Sequence, residues 1–305
     1  MPTHPLPANP GGPDWWGRHQ LRLAPWLFLA PALLLFTVYV LAPIVQSIAL
    51  SFYDWDGLGQ PTWIGIANYL ELATDPDFRI ALRNTLIWVA GYLLAIPAGL
   101  GLALLLNQTV FGIRAIKSLF FFPFVISQVV IGLVFSWFFN PDLGLVEPLF
   151  RLFGQAPIAV LADEDWVTYA VVLAGLYPQI AYCMILYLTG LNGLRADLLE
   201  AARLDGAAHW TLFWHIVLPQ LRPATFIAVV VTVIGSLRSY DMVAIMTAGG
   251  PYGSSRVLAY YMVERSLSEY GFRMGYGTAI ATVLFAITLG YIVWVLWRIR
   301  RQERA

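Results

Sequence analysis

Arg238 and Asp241 stand three residues apart in a stretch, 223–247, that is otherwise apolar. Three residues along a helix bring two side chains to one face. The spacing therefore fits an internal ion pair that holds helices, a proton relay, or a contact for a charged solute. Gln128 and Gln179 lie in apolar stretches of their own, and each offers amide donors and an acceptor. Ser236 and Ser239 bracket Arg238 and add hydroxyls. Phe124 and Tyr177 supply flat apolar faces close to the two glutamines in sequence. A polyhydroxylated solute such as a sugar needs that combination, many hydrogen bonds beside a surface for its C–H groups. With 12 Trp, 15 Tyr and 18 Phe in the chain, most aromatic residues must serve as interface belt or packing.

Other chemistries lack their parts. Cys183 is the single cysteine, so neither an intrachain disulfide nor a thiolate metal cluster is possible. His4, His19, His209 and His215 do not form a His-Glu-x-x-His pair. No G-x-x-x-x-G-K-[ST] loop exists to cradle ATP phosphates, and no nucleophile elbow is present, so the chain reads as no enzyme. The 18 basic and 18 acidic residues cancel, and no basic run marks a nucleic-acid footprint.

The elements that must position these groups are membrane spans. The 305 residues are 59% hydrophobic and 12% charged, with a mean hydropathy of +0.69. A soluble domain is nearer a quarter charged. No charge occurs in 23–53, 84–113, 118–141, 166–194 or 274–297, and about 20 apolar residues cross a hydrocarbon core of roughly 30 Å. An all-α integral membrane fold with six transmembrane helices is expected, near 26–49, 85–106, 118–139, 168–190, 223–247 and 276–297. The proline-rich residues 1–25 read as a flexible tail, and 299–305 as a short C-terminal tail. Pro97, Pro123 and Pro178 fall inside spans. Each frees a backbone carbonyl, and such breaks favour a bundle around a pathway, although any one of them fits a packing kink.

Orientation follows from the connections. The N-terminal tail, 107–117, 191–222 and 298–305 hold eleven Arg and Lys, whereas 50–84, 140–167 and 248–275 hold six, beside twelve acids. Both termini are therefore expected in the cytoplasm, with three acidic loops outside.

The longest cytoplasmic connection has a shape. Asp197 followed by Glu200 resembles a capping box, Gly206 suits a helix stop, and a second short helix over about 208–216 should end before Pro219. On residues alone, this elbow fits either a docking element for another protein or an amphipathic loop on the membrane surface.

Glu200-Ala201-Ala202, Asp205-Gly206-Ala207 and Ile216-Val217-Leu218-Pro219 together resemble the EAA loop of binding-protein-dependent ABC import permeases. The segments 30–56, 65–72, 140–146 and 240–251 resemble the maltose-type carbohydrate permeases, and the likeness runs over roughly 26–298. The Gly249-Gly250-Pro251 ending resembles the first of the two permeases usually paired in these transporters. Glu147 departs from the asparagine frequent there.

The resemblance carries implications. The coupling loop 191–222 between spans four and five would dock on a cytoplasmic ATPase, with Glu200 and Gly206 central and Ala201, Ala202 and Asp205 beside them. A sugar site would lie midway across the membrane on spans three, four and five, with Phe124, Gln128, Tyr177, Gln179, Ser236 and Ser239 at or next to the contact positions. The partners would be a second homologous permease subunit, two ATPase subunits that bind ATP and Mg, and an extracytoplasmic sugar-binding protein, in the plasma membrane of a prokaryote. No cofactor is expected in this chain. Rival readings are a glycerol-phosphate permease, a proton-coupled secondary transporter using Arg238 and Asp241, and a membrane scaffold.

Overall fold

The computed structural model describes residues 15–108, 110–154, 158–267 and 272–302. The chain divides between Ala49 and Leu50 into two units. In the first, α1 (Trp15–Phe36) runs through a π-helical turn, Thr37–Leu41, into α2 (Ala42–Leu50). Residues 15–25, read from sequence as tail, are thus helical. Pro25 and Pro31 lie inside α1 without ending it, as membrane helices tolerate.

The second unit opens with a two-stranded antiparallel ribbon, β1 (Tyr53–Asp54) with β2 (Thr62–Trp63), followed by α3 (Ala67–Thr74). Asp75 then caps α4 (Pro76–Leu93), accepting from the Asp77 N–H at 2.9 Å, with Pro76 in the first turn where its missing N–H costs nothing. After a one-residue break at Leu94 comes α5 (Ala95–Leu106). Pro97 cannot donate to the Leu93 carbonyl, which accounts for the break. α6 (Ile113–Val125) and α7 (Gln128–Phe138) follow, then the short α8 (Val146–Leu152). α9 (Val167–Asn192) runs unbroken through Pro178, contrary to the break read there from sequence.

Next come α10 (Ala196–Leu204), α11 (His209–Leu212), a π-helical turn (Phe213–Val217), α12 (Leu218–Gln220) and α13 (Arg222–Leu237). The chain closes with α14 (Asp241–Met246), α15 (Leu258–Leu267) and α16 (Met274–Gln302). α16 extends through most of the residues read as a C-terminal tail.

Among the described residues four helical stretches are long and apolar enough to cross a membrane, and up to six if each of two bent pairs counts as one span. The bend over 118–139 agrees with the break expected near Pro123, whereas the helix expected over 223–247 runs only to Leu237 and resumes at Asp241. α6 and α7 meet at 97°, and the helix Trp210–Gln220 meets α13 at 64°.

α9 forms the spine of the second unit. Tyr187, Met184, Cys183 and Val171 on it are wholly or almost wholly buried. α5 crosses α9 at Gly99, where a Cβ would lie 2.5 Å from Cys183 Cβ and 2.8 Å from the Met184 nitrogen. Only glycine lets the two backbones approach so closely. A separate cluster of Leu72, Ala81, Leu258, Tyr261, Tyr276 and Ile280 ties α3 and α4 to α15 and α16.

Candidate functional site

Two breaks inside spans open onto one cavity. The first separates α6 from α7. Ile126 is extended (φ −76°, ψ 144°), and Ser127 caps α7 by accepting the Val129 N–H at 3.3 Å. Gln128 is consequently the first residue of α7. The second break ends α13 at Leu237 and restarts helix at Asp241, leaving Arg238 to Tyr240 outside both helices. Just before it the Ser236 hydroxyl donates to the Val233 carbonyl at 2.8 Å, and within it the Ser239 hydroxyl donates to the Gly235 carbonyl at 3.4 Å. Such back-bonding competes with the helical ladder and favours its end here.

The cavity measures about 400 Å³ and is lined by Gln128, Gln179, Arg238, Ser239 and Asp241 among the residues singled out from sequence. Tyr92 of α4, Val231, Ile234 and Gly235 of α13, and Tyr240 and Met242 complete the lining. Gln179 is fixed in place because its Nε2 donates to Thr232 Oγ1 at 2.8 Å. That leaves the amide carbonyl for another partner.

Arg238 and Asp241 do not share a helix face, because the break lies between them. Among the described residues no ion pair joins them, so the pairing read from their spacing fails. Each sits instead at a helix end of suitable sign. Arg238 caps the C-terminus of α13 and Asp241 opens α14. Both charges are exposed and line the cavity.

Three residues named from sequence lie elsewhere. Ser236 is 2% exposed, with its hydroxyl bonded to its own helix. The ring of Phe124 packs against Tyr182 at 5.2 Å, and that of Tyr177 against Phe135 at 5.9 Å. The spacing argument missed Tyr92 and Tyr240, because the first belongs to another span and the second points inward only through the break.

Polar groups at one end of the unit hold these pieces in register. Asn84, wholly buried, donates to the carbonyls of Ser254 at 2.6 Å and Arg256 at 2.8 Å. Thr168 donates to the Ser254 carbonyl at 3.1 Å, and Thr85 accepts the Leu258 N–H at 3.0 Å. The turn 248–257, between α14 and α15, is thereby pinned to α4 and α9. Nearby, Asp75 accepts from the hydroxyls of Tyr261 and Tyr276. Burial pushes the Asp75 carboxyl up, but these hydrogen bonds outweigh it and hold the group below its ordinary range. A two-armed bond from Arg273, at 2.6 and 2.7 Å, likewise lowers Glu71. Arg265 and Arg256 bond Asp77 at 2.9 and 3.2 Å.

The elbow is built as two helices. At the end of α10, Gly206 takes φ +80°, and the Ala207 N–H bonds the Ala202 carbonyl at 3.0 Å. This is a Schellman stop. Arg195 N–H donates to Gln220 Oε1 at 3.1 Å and ties the two ends together. Asp197 lies inside α10 and pairs with Arg195 at 2.6 Å, so it does not form the capping box expected with Glu200. Pro219 does not stop the second helix, which bends only at Leu221. Glu200, Ala201, Asp205 and Gly206 are exposed, while Ala202 turns inward at 9% exposure. Leu204 and Trp210 add apolar surface, 89% and 71% exposed.

A mostly helical unit with broken spans around a cavity that carries several polar side chains, and a helical elbow at one end, defines the class of membrane permeases. Residues 95–300 match the family described as binding-protein-dependent transport system inner membrane component, and the chain belongs to it. The "Probable ABC transporter permease protein YurN" of Bacillus subtilis (strain 168) is 35% identical over 279 residues, covering 89% of this chain and 94% of that protein. The alpha-glucoside transport system permease protein of Rhizobium meliloti (strain 1021) is 30% identical over 299 residues, 93% of this chain and 86% of the relative. The crystal structure of a bacterial ABC transporter involved in the import of the acidic polysaccharide alginate shares the fold. Its TM-score is 0.80 at 22% identity, over 94% of this chain and 98% of that one. The resemblance read from the 200–219 motif thus stands at the level of family and fold. The chain is a multi-pass inner-membrane permease subunit of a binding-protein-dependent importer.

Proposed function

We propose that the chain moves a sugar into the cytoplasm by alternating access through the cavity at the two span breaks. One observation carries this reading. Gln128, Gln179, Arg238, Ser239 and Asp241 come from three spans to line one cavity of about 400 Å³. That volume suits a small solute site, and the lining is rich in donors and acceptors. An alpha-glucoside permease among the relatives agrees with a neutral sugar.

The remaining assignments follow. Both termini and the elbow are cytoplasmic. The elbow couples to two ATPase subunits through Glu200, Ala201, Asp205 and Gly206, with Ala202 packed beneath them. ATP and Mg bind there, and this chain is no enzyme and needs no cofactor. A second, homologous permease completes the pathway as a heterodimer, and an external binding protein delivers the sugar to the outer loops. Closure of the ATPases would move the elbow and tilt the spans, turning the cavity from one side to the other.

A second reading rests on Arg238, which lines the cavity with no acidic partner among the described residues and so suits a glycerol phosphate or another anionic solute. Uptake by proteoliposomes holding the whole transporter separates the two. Labelled α-glucosides should enter and glycerol phosphate should not, and Gln179→Ala should slow entry about fivefold, as loss of a single hydrogen bond of about 1 kcal/mol implies. Uptake of glycerol phosphate alone would establish the second reading, and uptake of either without ATP would exclude both.

A further inference from the structure

A second concavity, about 1010 Å³ in volume, lies between α13 and α16 at the end of the spans nearest the elbow. We propose that it binds an anionic phospholipid, with the headgroup phosphate between Arg222 and Arg298 and the upper acyl chain along the groove.

The charge argues first. Arg222 opens α13 and Arg298 lies near the end of the antiparallel α16, so both guanidinium groups face the same mouth. No acidic side chain lines the groove, and among the described residues none pairs with either arginine. Arg298 is braced over the Trp294 ring at 5.5 Å, which holds its charge at the rim. Paired arginines suit the two free oxygens of a phosphodiester.

The depth argues next. From Arg222 to Val230 the helix rises about 12 Å, most of one leaflet of a bilayer whose core is roughly 30 Å thick. Beyond the arginines the walls turn apolar, with Phe226, Val230 and Val295. Trp214 and Trp294 stand at the mouth, the position of aromatic side chains at a membrane surface. An orphan donor marks the inside. Tyr291 lines the groove, and its hydroxyl is out of contact with water yet has no hydrogen-bond partner among the described residues. A glycerol ester carbonyl below the phosphate would accept from it. An arginine rim above an apolar trough that holds one inward hydroxyl suits the phosphate, acyl chain and ester carbonyl of a phospholipid.

The test uses the full transporter complex in detergent, titrated with dioleoyl phosphatidylglycerol or dioleoyl phosphatidylcholine and read by native mass spectrometry. Two arginines at the membrane surface should give the anionic lipid an advantage of about 30-fold. Arg222→Gln with Arg298→Gln, both at exposed positions, should abolish that preference. Tyr291→Phe should shorten retention of both lipids. Glycerophosphoglycerol, the same headgroup without chains, should not compete, which separates a lipid from a free phosphate. A photoreactive phosphatidylglycerol should label residues within 214–230 or 291–299. Equal retention of the two lipids, an unchanged double variant, competition by the chain-free headgroup, or labelling confined to other segments would each overturn the proposal. The last would mean that a protein helix fills the groove.

Discussion

Replacing Asn84 by leucine should release the turn 248–257 while leaving the spans in place. Asn84 donates to the Ser254 and Arg256 carbonyls. Thr168 still serves Ser254 after the change, whereas the Arg256 carbonyl is left with no partner among the described residues. Two lost hydrogen bonds cost about 1 kcal/mol each, and the orphaned carbonyl adds about 1 more. Against this, Asn84 Oδ1 is itself buried without a partner, so its removal returns a similar amount. The net cost is about 2 kcal/mol, which makes local opening about 30-fold more frequent. The assay is maleimide labelling of a Ser254→Cys background. Ser254 is 8% exposed and its hydroxyl bonds no described residue, so the replacement sacrifices none of the observed hydrogen bonds. Cys183, the only native thiol, is wholly buried and should stay silent. Labelling should quicken about 30-fold in Asn84→Leu. A change of less than about threefold would show that the turn is held by other contacts.

Other expectations concern the outer network, the elbow and the cavity charges. Asp75 and Glu71 have lowered folded-state values, so their contribution is present above the ordinary carboxylate range and lost as pH falls. The thermal midpoint of the purified transporter should hold from about pH 8 to 5 and drop below about pH 4, and a drop on the alkaline side instead would contradict the assignment. Gly206→Val meets no atom within 4 Å but must hold φ +80°. It should cost about 1–2 kcal/mol in the elbow, insert normally and uncouple ATP hydrolysis from uptake. Wild-type uptake would remove the coupling role. With no ion pair between Arg238 and Asp241, the transport losses of Arg238→Gln and Asp241→Asn should add in free energy to within about 0.5 kcal/mol. A double variant better than either single one would restore the pair.

The membrane class and the elbow were legible because they rest on local signals. Long uncharged runs specify spans, and Gly206 two residues past Leu204 specifies a helix stop. The polar members of the cavity were legible one by one, since an amide or a charge in an apolar stretch stands out. Their meeting was not. It depends on breaks at Ile126–Ser127 and at 238–240, and only the first has a nearby proline, Pro123, to announce it. The second has no proline and follows serine back-bonding. Those breaks also explain the errors. A continuous helix would have paired Arg238 with Asp241 and aimed Ser236 with Ser239, whereas Ser236 is buried within α13 and the break separates the charges. Tyr92 escaped notice because its stretch contains nothing polar beside it.

The central claim is that solute passes through the cavity between the broken spans. Gly235 lines that cavity, and a Cβ there meets nothing within 4 Å, so Gly235→Cys should fold and transport normally. Uptake should be measured in the reconstituted transporter before and after modification with a bulky thiol reagent. Modification should block uptake, and saturating sugar, delivered on its binding protein, should slow the modification. Complete modification with uptake unchanged would place the pathway elsewhere.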